Sequence, residues 1–201
     1  MRLCFVTVGA TAEFKELVET VCSEPFFKAL AAKGYTHLLV QYGWHAKHII
    51  DDFLVANPAG SPAMHGLHFG HFDFCDDPKY WIGQCMPFEL IHRELGLVIC
   101  HGGTGSVLEA LRAAPRLIIV PNPHLADNHQ QEMADMMSRL QMAASSDVKN
   151  LIATVGQVER RAGDSDFLRS FDYPFREGAM GGTARHARLG CRAREREARC
   201  I

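Results

Sequence analysis

The sequence is 201 residues long, 47% hydrophobic and 22% charged, with a formal net charge of −2 at pH 7. At roughly 150 residues per domain this length holds one domain and a remainder, and it excludes two full-sized α/β domains closing on a cleft within one chain. The near-zero charge excludes a global field that would draw nucleic acid, and no apolar run reaches the ~18 residues of a spanning helix.

In chain order, Leu3–Val8 reads as a buried first strand ending at Gly9. As a signal peptide its apolar run is too short and is interrupted by Thr7. Phe14, Leu17, Val18 and Val21 share one helical face, and Phe26, Phe27 and Leu30 open a second helix that Gly34 stops. His37–Tyr42 is a second strand closed by Gly43, residues 57–62 form a loop, and Leu67–Phe74 is a third strand. His45 and His48 read as surface residues of a helix start. Pro87 fits the first turn of a helix carrying Phe88, Ile91 and Leu95. Leu97–Cys100 is a continuous apolar strand of the kind covered on both faces. A glycine-rich turn and a helix from Ser106 to Ala113 follow, then a fifth strand, Leu117–Val120. Asp127 caps a last helix running to Met142, with Met133, Met136, Met137 and Leu140 inward.

Short apolar runs alternating with amphipathic stretches predict a parallel α/β sheet over residues 1–156, with helices on both faces. Residues 157–201 hold ten arginines, no lysine and seven acids, and read as a disordered basic tail on a mildly acidic body. The seven cysteines include no C-x-x-C pair, so neither a zinc ribbon nor a dithiol is indicated, and Cys4 and Cys100 read as small buried hydrophobes. A reducing compartment follows, with the chain expected in the cytoplasm. His65, His68 and His71 recur every third residue of a strand-like stretch, which alternates faces and cannot converge on one ion. No metal site is expected.

The informative chemistry lies in His101-Gly102-Gly103-Thr104-Gly105-Ser106, between a buried strand and a helix. Glycines allow a sharp turn and close backbone approach, and a helix N-terminus offers unpaired N–H groups to a phosphate or diphosphate. It is neither a P-loop nor a G-x-G-x-x-G turn. His101 is either a catalytic base or a residue that fixes the turn. Glu109 completes Ser-x-x-Glu, so it either closes a capping box or accepts hydrogen bonds from two ribose hydroxyls. The next loop, Pro121 to Gln131, falls on the same carboxyl edge and carries Asn122, Asn128, His129, Gln130 and Gln131, amides suited to a sugar with hydroxyl and acetamido groups. Gly9 and Thr11 fall there too. A G-x-S-x-G nucleophile elbow is missing, which sets a hydrolase aside.

The run His101-Gly102-Gly103-Thr104-Gly105-Ser106-Val107-Leu108-Glu109, then Pro121-Asn122, then Asp127-Asn128-His129-Gln130-Gln131, resembles the asparagine-linked glycosylation protein 13 family in its short fungal form. Val6-Thr7-Val8-Gly9 and Phe72-Asp73-Phe74 agree at weaker positions. The resemblance implies the Rossmann-like, donor-binding half of a GT-B glycosyltransferase. It implies transfer of N-acetylglucosamine from UDP-N-acetylglucosamine to N-acetylglucosaminyl-diphosphodolichol, the second step of lipid-linked oligosaccharide synthesis, with inversion to a β-1,4 linkage and no cofactor. The implied partner is a membrane-anchored, acceptor-binding subunit of the asparagine-linked glycosylation protein 14 type, at the cytosolic face of the endoplasmic reticulum. By the same resemblance Thr104, Gly105 and Ser106 hold the diphosphate with Gly9 and Thr11, with Gly102 and Gly103 shaping the turn. Glu109 holds the ribose, Gln130 and Gln131 reach the sugar with Asn128 and His129 shaping their loop, Asn122 is a further donor-binding residue, and Phe74 lies along the uracil.

Four features depart from the family pattern. Gly103 or its neighbour is usually Ala. Residues 75–90 include an extra piece with Pro78, Trp81 and Pro87. Ala114-Pro115-Arg116 replaces Gly-Lys-Pro, and residues 160–201 do not look like the family's docking helix. A nucleotide-sugar-binding subunit without turnover is the alternative reading.

Overall fold

The computed structural model describes residues 1–9, 12–74, 77–113, 115–125 and 128–161. Strands β1 Leu3–Thr7, β2 His37–Gln41, β3 His68–Phe72, β4 Leu97–Cys100, β5 Arg116–Ile119 and β6 Ala144–Ser145 form one sheet in the order β3-β2-β1-β4-β5-β6. Every pairing is parallel. Helices α1 Lys15–Val21, α2 Glu24–Ala31, α3 Lys47–Ala56, α4 Lys79–Gln84, α5 Thr104–Ala113, α6 His129–Arg139 and α7 Leu151–Arg161 cover it. None of the described helices is long and apolar enough to cross a membrane.

Alternate strand residues point to opposite faces, and both sets are apolar here, so each strand reads as an unbroken hydrophobic run. On one face Cys4, Val6, Leu38, Val40, Ile99 and Ile118 pack with Leu17, Phe26, Phe27, Ile50, Leu151 and Val155 of α1, α2, α3 and α7. On the other, Phe5, Leu39, Val98, Cys100 and Ile119 pack with Ile82, Val107, Ala110, Ala134 and Met137 of α4, α5 and α6. Helix α2 starts with Pro25 in its first turn, where the missing N–H costs nothing, and the chain leaves it through Gly34 at φ +78°. Burial pushes the thiols of Cys22, Cys85 and Cys100 up to about 12, so each stays a neutral, inert filler.

The structure corrects three expectations. The helix expected after Pro87 forms earlier, as α4, and residues Glu89–Ile91 make only a 3₁₀ turn. The space beside β1 and β4 is filled by Ile82 and Cys85, with the Cα and Cβ of Cys85 each 3.1 Å from where a Gly96 β-carbon would stand. Phe88 and Ile91 are left exposed, and Leu90 is 83% exposed. In α6 the inward stripe is Ala134 and Met137 with Met133 half-buried. Met136 and Leu140 face outward, because Met136 lies about 200° around the helix from Ala134. Third, order does not stop at residue 156. β6 and α7 were not legible, and α7 carries the fold through to Arg161. The remainder of the basic tail, 162–201, lies outside the described residues, as does Asp127.

Helix α7 is fastened at the amino edge of the sheet. Glu159, its side chain 8% exposed, pairs with Arg2 at 2.5 Å and Arg116 at 3.5 Å and accepts the Tyr35 hydroxyl at 2.6 Å. Arg2 also donates to the carbonyls of Leu95 and Lys33 and lies 4.3 Å from the Tyr35 ring centre. Removing one member of a buried ion pair leaves the other charge uncompensated, at a cost of about 3–5 kcal/mol. Glu159→Ala is therefore expected to lower unfolding free energy by about 3 kcal/mol in urea titrations. A loss below about 1 kcal/mol would show a pair no stronger than an exposed one.

Candidate functional site

The strand order reverses between β1 and β4, the place where open α/β sheets bind ligands. Two loops meet there. Gly9 leaves β1 at φ +76° and Gly102 leaves β4 at φ +78°, left-handed conformations that suit glycine. The imidazole of His101 is wedged between the loops, since a β-carbon on either Gly9 or Gly103 would collide with its Cε1 and Nε2. Burial holds the His101 pKa below the usual histidine value, against an opposing contribution from the Thr7 backbone. His101 is thus a neutral spacer between two backbone turns. The glycine at 103 gives the ring its room.

The Gly103 carbonyl accepts from the Val107 N–H at 3.0 Å, so α5 begins at Thr104. The N–H groups of Thr104, Gly105 and Ser106 have no carbonyl one turn back, and Thr104 and Gly105 are exposed. Ser106 is then the third helical residue rather than the cap, which removes the capping box as an account of Glu109. That carboxylate, 20% exposed, lies 2.5 Å from Arg112 and 3.9 Å from Lys79.

The loop after β5 comes to the same place. A β-carbon at Gly102 would sit 3.1 Å from the Gln130 β-carbon and 3.3 Å from Ile119, so the glycine admits the start of α6. Buried Asn122 organises this loop: its N–H donates to Gln130 Oε1 at 2.9 Å and its amide donates to the Glu13 carbonyl at 2.6 Å. Its Oδ1 accepts from the His124 N–H at 3.0 Å. The Gln130 side chain therefore braces the loop. Asn128, His129 and Gln131 are exposed at the start of α6, with Gln131 donating to Asp135 at 2.9 Å. Thr11 lies outside the described residues.

Phe74 stands further off. It stacks on Trp44 with ring centres 5.5 Å apart, at the ends of β3 and β2. One ligand touching both Phe74 and the α5 turn would have to lie across the ends of β2 and β1. Between these loops a concavity is lined by Gly9, Glu13, Lys15, Tyr42, Trp44 and His45. A second, beside the β5 loop, is lined by Glu13, Lys15, Glu16 and His124, with Glu16 and His124 2.5 Å apart. The Glu16 carboxyl is held below its ordinary value first by its own backbone N–H and then by His124.

Sequence reasoning missed Gln41. The residue is 5% exposed and its side chain is fully hydrogen-bonded among the ends of β1, β2 and β3. The signal was available: a lone amide closing the apolar run Leu38-Leu39-Val40.

Residues 3–162 match the model of the glycosyltransferase family 28 C-terminal domain. The UDP-N-acetylglucosamine transferase subunit ALG13 of Saccharomyces cerevisiae is 31% identical over 151 residues, covering 69% of this chain and 74% of the yeast protein. The subunit of the same name from Kluyveromyces lactis is 34% identical over 152 residues, covering 65% and 71%. The chain belongs to the ALG13 family. A solution structure of ALG13 superposes with a TM-score of 0.57 at 27% identity, covering 82% of this chain and 86% of that one. Acinetobacter baumannii MurG shares the fold at TM-score 0.56 and 20% identity, over 83% of this chain and 43% of its own. The family expected from the His101–Ser106 and Asp127–Gln131 motifs is confirmed, and the fold is that of the C-terminal, Rossmann-like half of a GT-B glycosyltransferase.

The buried imidazole predicts a pH dependence of stability. The folded-state pKa of His101 lies below 6.5, so as pH falls the unfolded chain binds the proton first. Stability from this group is full above 6.5 and declines as pH drops from there to the lower folded value. In melting curves across pH, His101→Asn should flatten that decline but not abolish it, because burial also lowers the His37 pKa. An unchanged slope would mean that His101 titrates freely.

Proposed function

We propose that this chain is the donor-binding catalytic subunit of a two-subunit glycosyltransferase that moves N-acetylglucosamine from UDP-N-acetylglucosamine to N-acetylglucosaminyl-diphosphodolichol. The observation that carries the reading is the exposed first turn of α5, at the switch point, abutting the amide-rich start of α6 across Gly102. Curated relatives named as UDP-N-acetylglucosamine transferase subunits support the donor.

In this reading the N–H groups of Thr104, Gly105 and Ser106 hold the diphosphate, with Gly9 across the gap. Glu109 exchanges its Arg112 contact for the two ribose hydroxyls, and Gln131 swings from Asp135 to the sugar while Gln130 keeps the loop in place. The Phe74 ring, backed by Trp44, lies along the base. The acceptor 4-hydroxyl attacks the anomeric carbon from the face opposite the diphosphate, which leaves as UDP, and the configuration inverts. The hydroxyl proton passes to a base on the partner. Backbone N–H groups and the α5 dipole meet the charge that builds on the leaving group, so no resident cofactor is called for. The partner is a membrane-anchored subunit of the asparagine-linked glycosylation protein 14 type, which carries the acceptor at the cytosolic face of the endoplasmic reticulum.

Radiolabelled transfer from UDP-N-acetylglucosamine to the lipid acceptor is expected only when chain and membrane subunit are combined, and it should survive chelation. Donor binding without any transfer by the complex would make the chain a nucleotide-sugar-binding subunit instead. Separately, Glu109→Gln should weaken UDP binding about tenfold, as loss of a charge-assisted hydrogen bond implies. Calorimetry showing unchanged UDP affinity alongside a lowered melting temperature would remove Glu109 from the ribose.

A further inference from the structure

The most completely bonded buried side chain near the site belongs to none of the residues assigned to it above. Gln41 ends β2, and its carboxamide uses both lone pairs and both donor hydrogens. Oε1 accepts from the Thr7 hydroxyl at 2.5 Å and from the Gly9 N–H at 3.2 Å. Nε2 donates to the Gly9 carbonyl at 2.9 Å and to the Asp73 carbonyl at 3.0 Å. The two carbonyls can only accept, so the amide orientation is fixed by its partners. The Asp73 carbonyl also accepts from the Gly43 N–H at 2.9 Å. One side chain therefore ties the loops after β1, β2 and β3.

Those loops have separate tasks at this edge. Gly9 packs against the His101 ring, which in turn packs against Gly103 at the head of α5. Asp73 leads directly into Phe74, whose N–H donates to the Asp73 carboxylate at 2.7 Å and whose ring stacks on Trp44. We propose that Gln41 is a positioning residue for the donor. It sets the spacing between the Gly9–His101–α5 turn, where the diphosphate sits, and the Trp44–Phe74 stack, where the base lies. Gln41 touches no ligand and acts through Gly9 and Asp73. The proposal rests on reading this edge as the nucleotide-sugar site.

The chemistry of the amide makes the role separable from mere filling of space. Glutamate has nearly the same shape, but as a carboxylate it would aim an anionic oxygen at the carbonyls of Gly9 and Asp73. Protonated, it regains one donor. Leucine fills the volume and makes none of the four bonds.

The test compares full-length wild type with Gln41→Leu, Gln41→Glu and Glu159→Ala, the last destabilising the fold from the opposite edge. UDP affinity is measured by calorimetry, and exchange of the Gly9 and Gly43 amides by NMR. Gln41→Leu is expected to lose at least tenfold in UDP affinity and to accelerate exchange at those two amides, while Glu159→Ala at equal melting temperature does neither. Gln41→Glu should recover UDP affinity relative to wild type at the same pH as pH falls from 8 to about 5, where a buried carboxyl becomes protonated. This variant decides the matter if leucine prevents folding. UDP affinity in Gln41→Leu within twofold of Glu159→Ala, or a pH-independent defect in Gln41→Glu, would overturn the proposal. A wild type that does not bind UDP would instead overturn the reading of the site. The positioning role would then fall if exchange rose uniformly, and a rise confined to Gly9 and Gly43 would still establish the tie between the loops.

Discussion

Between β1 and β4 the direction of winding reverses, and the rest of the carboxyl edge follows from that reversal. The chain leaving β1 goes to α1 on one face, and the chain leaving β4 goes to α5 on the other. Neighbouring loops that part in this way leave a gap with no covalent bridge. His101 closes the gap from inside by packing against a glycine on each bank. An imidazole suits the task because it is flat, nearly apolar when neutral, and kept neutral by its own burial.

The two edges of the sheet are held by different chemistry. At the amino edge the ties are ionic: two arginines, a glutamate and a tyrosine hydroxyl interlock. At the carboxyl edge the internal ties are neutral amides, Gln41 and Asn122, with Gln130 bracing the latter. Neutral amides fix loops without adding a net charge, so the positive end of the α5 dipole remains unopposed by the scaffold. The charged residues nearby pair among themselves, Glu13 with Lys15 and His45, and Glu16 with His124.

Most of the sheet was legible because a strand covered on both faces has a signature hard to imitate, an apolar run such as Leu97–Cys100 bounded by glycine. The glycine turn and the Asn128–Gln131 stretch were legible for a similar reason, since their composition exceeds what turns and caps require. What escaped depends on partners remote in sequence. Glu159 reads as a solvated charge until Arg2 and Arg116 surround it, and the end of α7, residues 157–161, was accordingly assigned to the tail. Gln41 reads as the polar end of a strand until the Asp73 and Gly9 carbonyls are known to flank it. The segment around Phe88–Ile91 misled in the opposite direction. Its spacing fits a buried helical face, but Ile82 and Cys85 already occupy the volume beneath the sheet.

The Arg2–Glu159 contact joins positions 157 residues apart. During synthesis the first strand emerges early, at the centre of a sheet whose flanking strands are still to come. Its guanidinium meets its carboxylate only when the last described helix has been made. Contacts this remote must close the longest loop of the domain before they contribute, which slows folding. The first strand is already paired with β2 and β4 by then, and the Arg2–Glu159 tie is the last of its contacts to be made. A chain released before residue 159 keeps two cationic side chains at the sheet's amino edge without their shared anion, and such incomplete products are the ones a protease or chaperone would encounter in an open form.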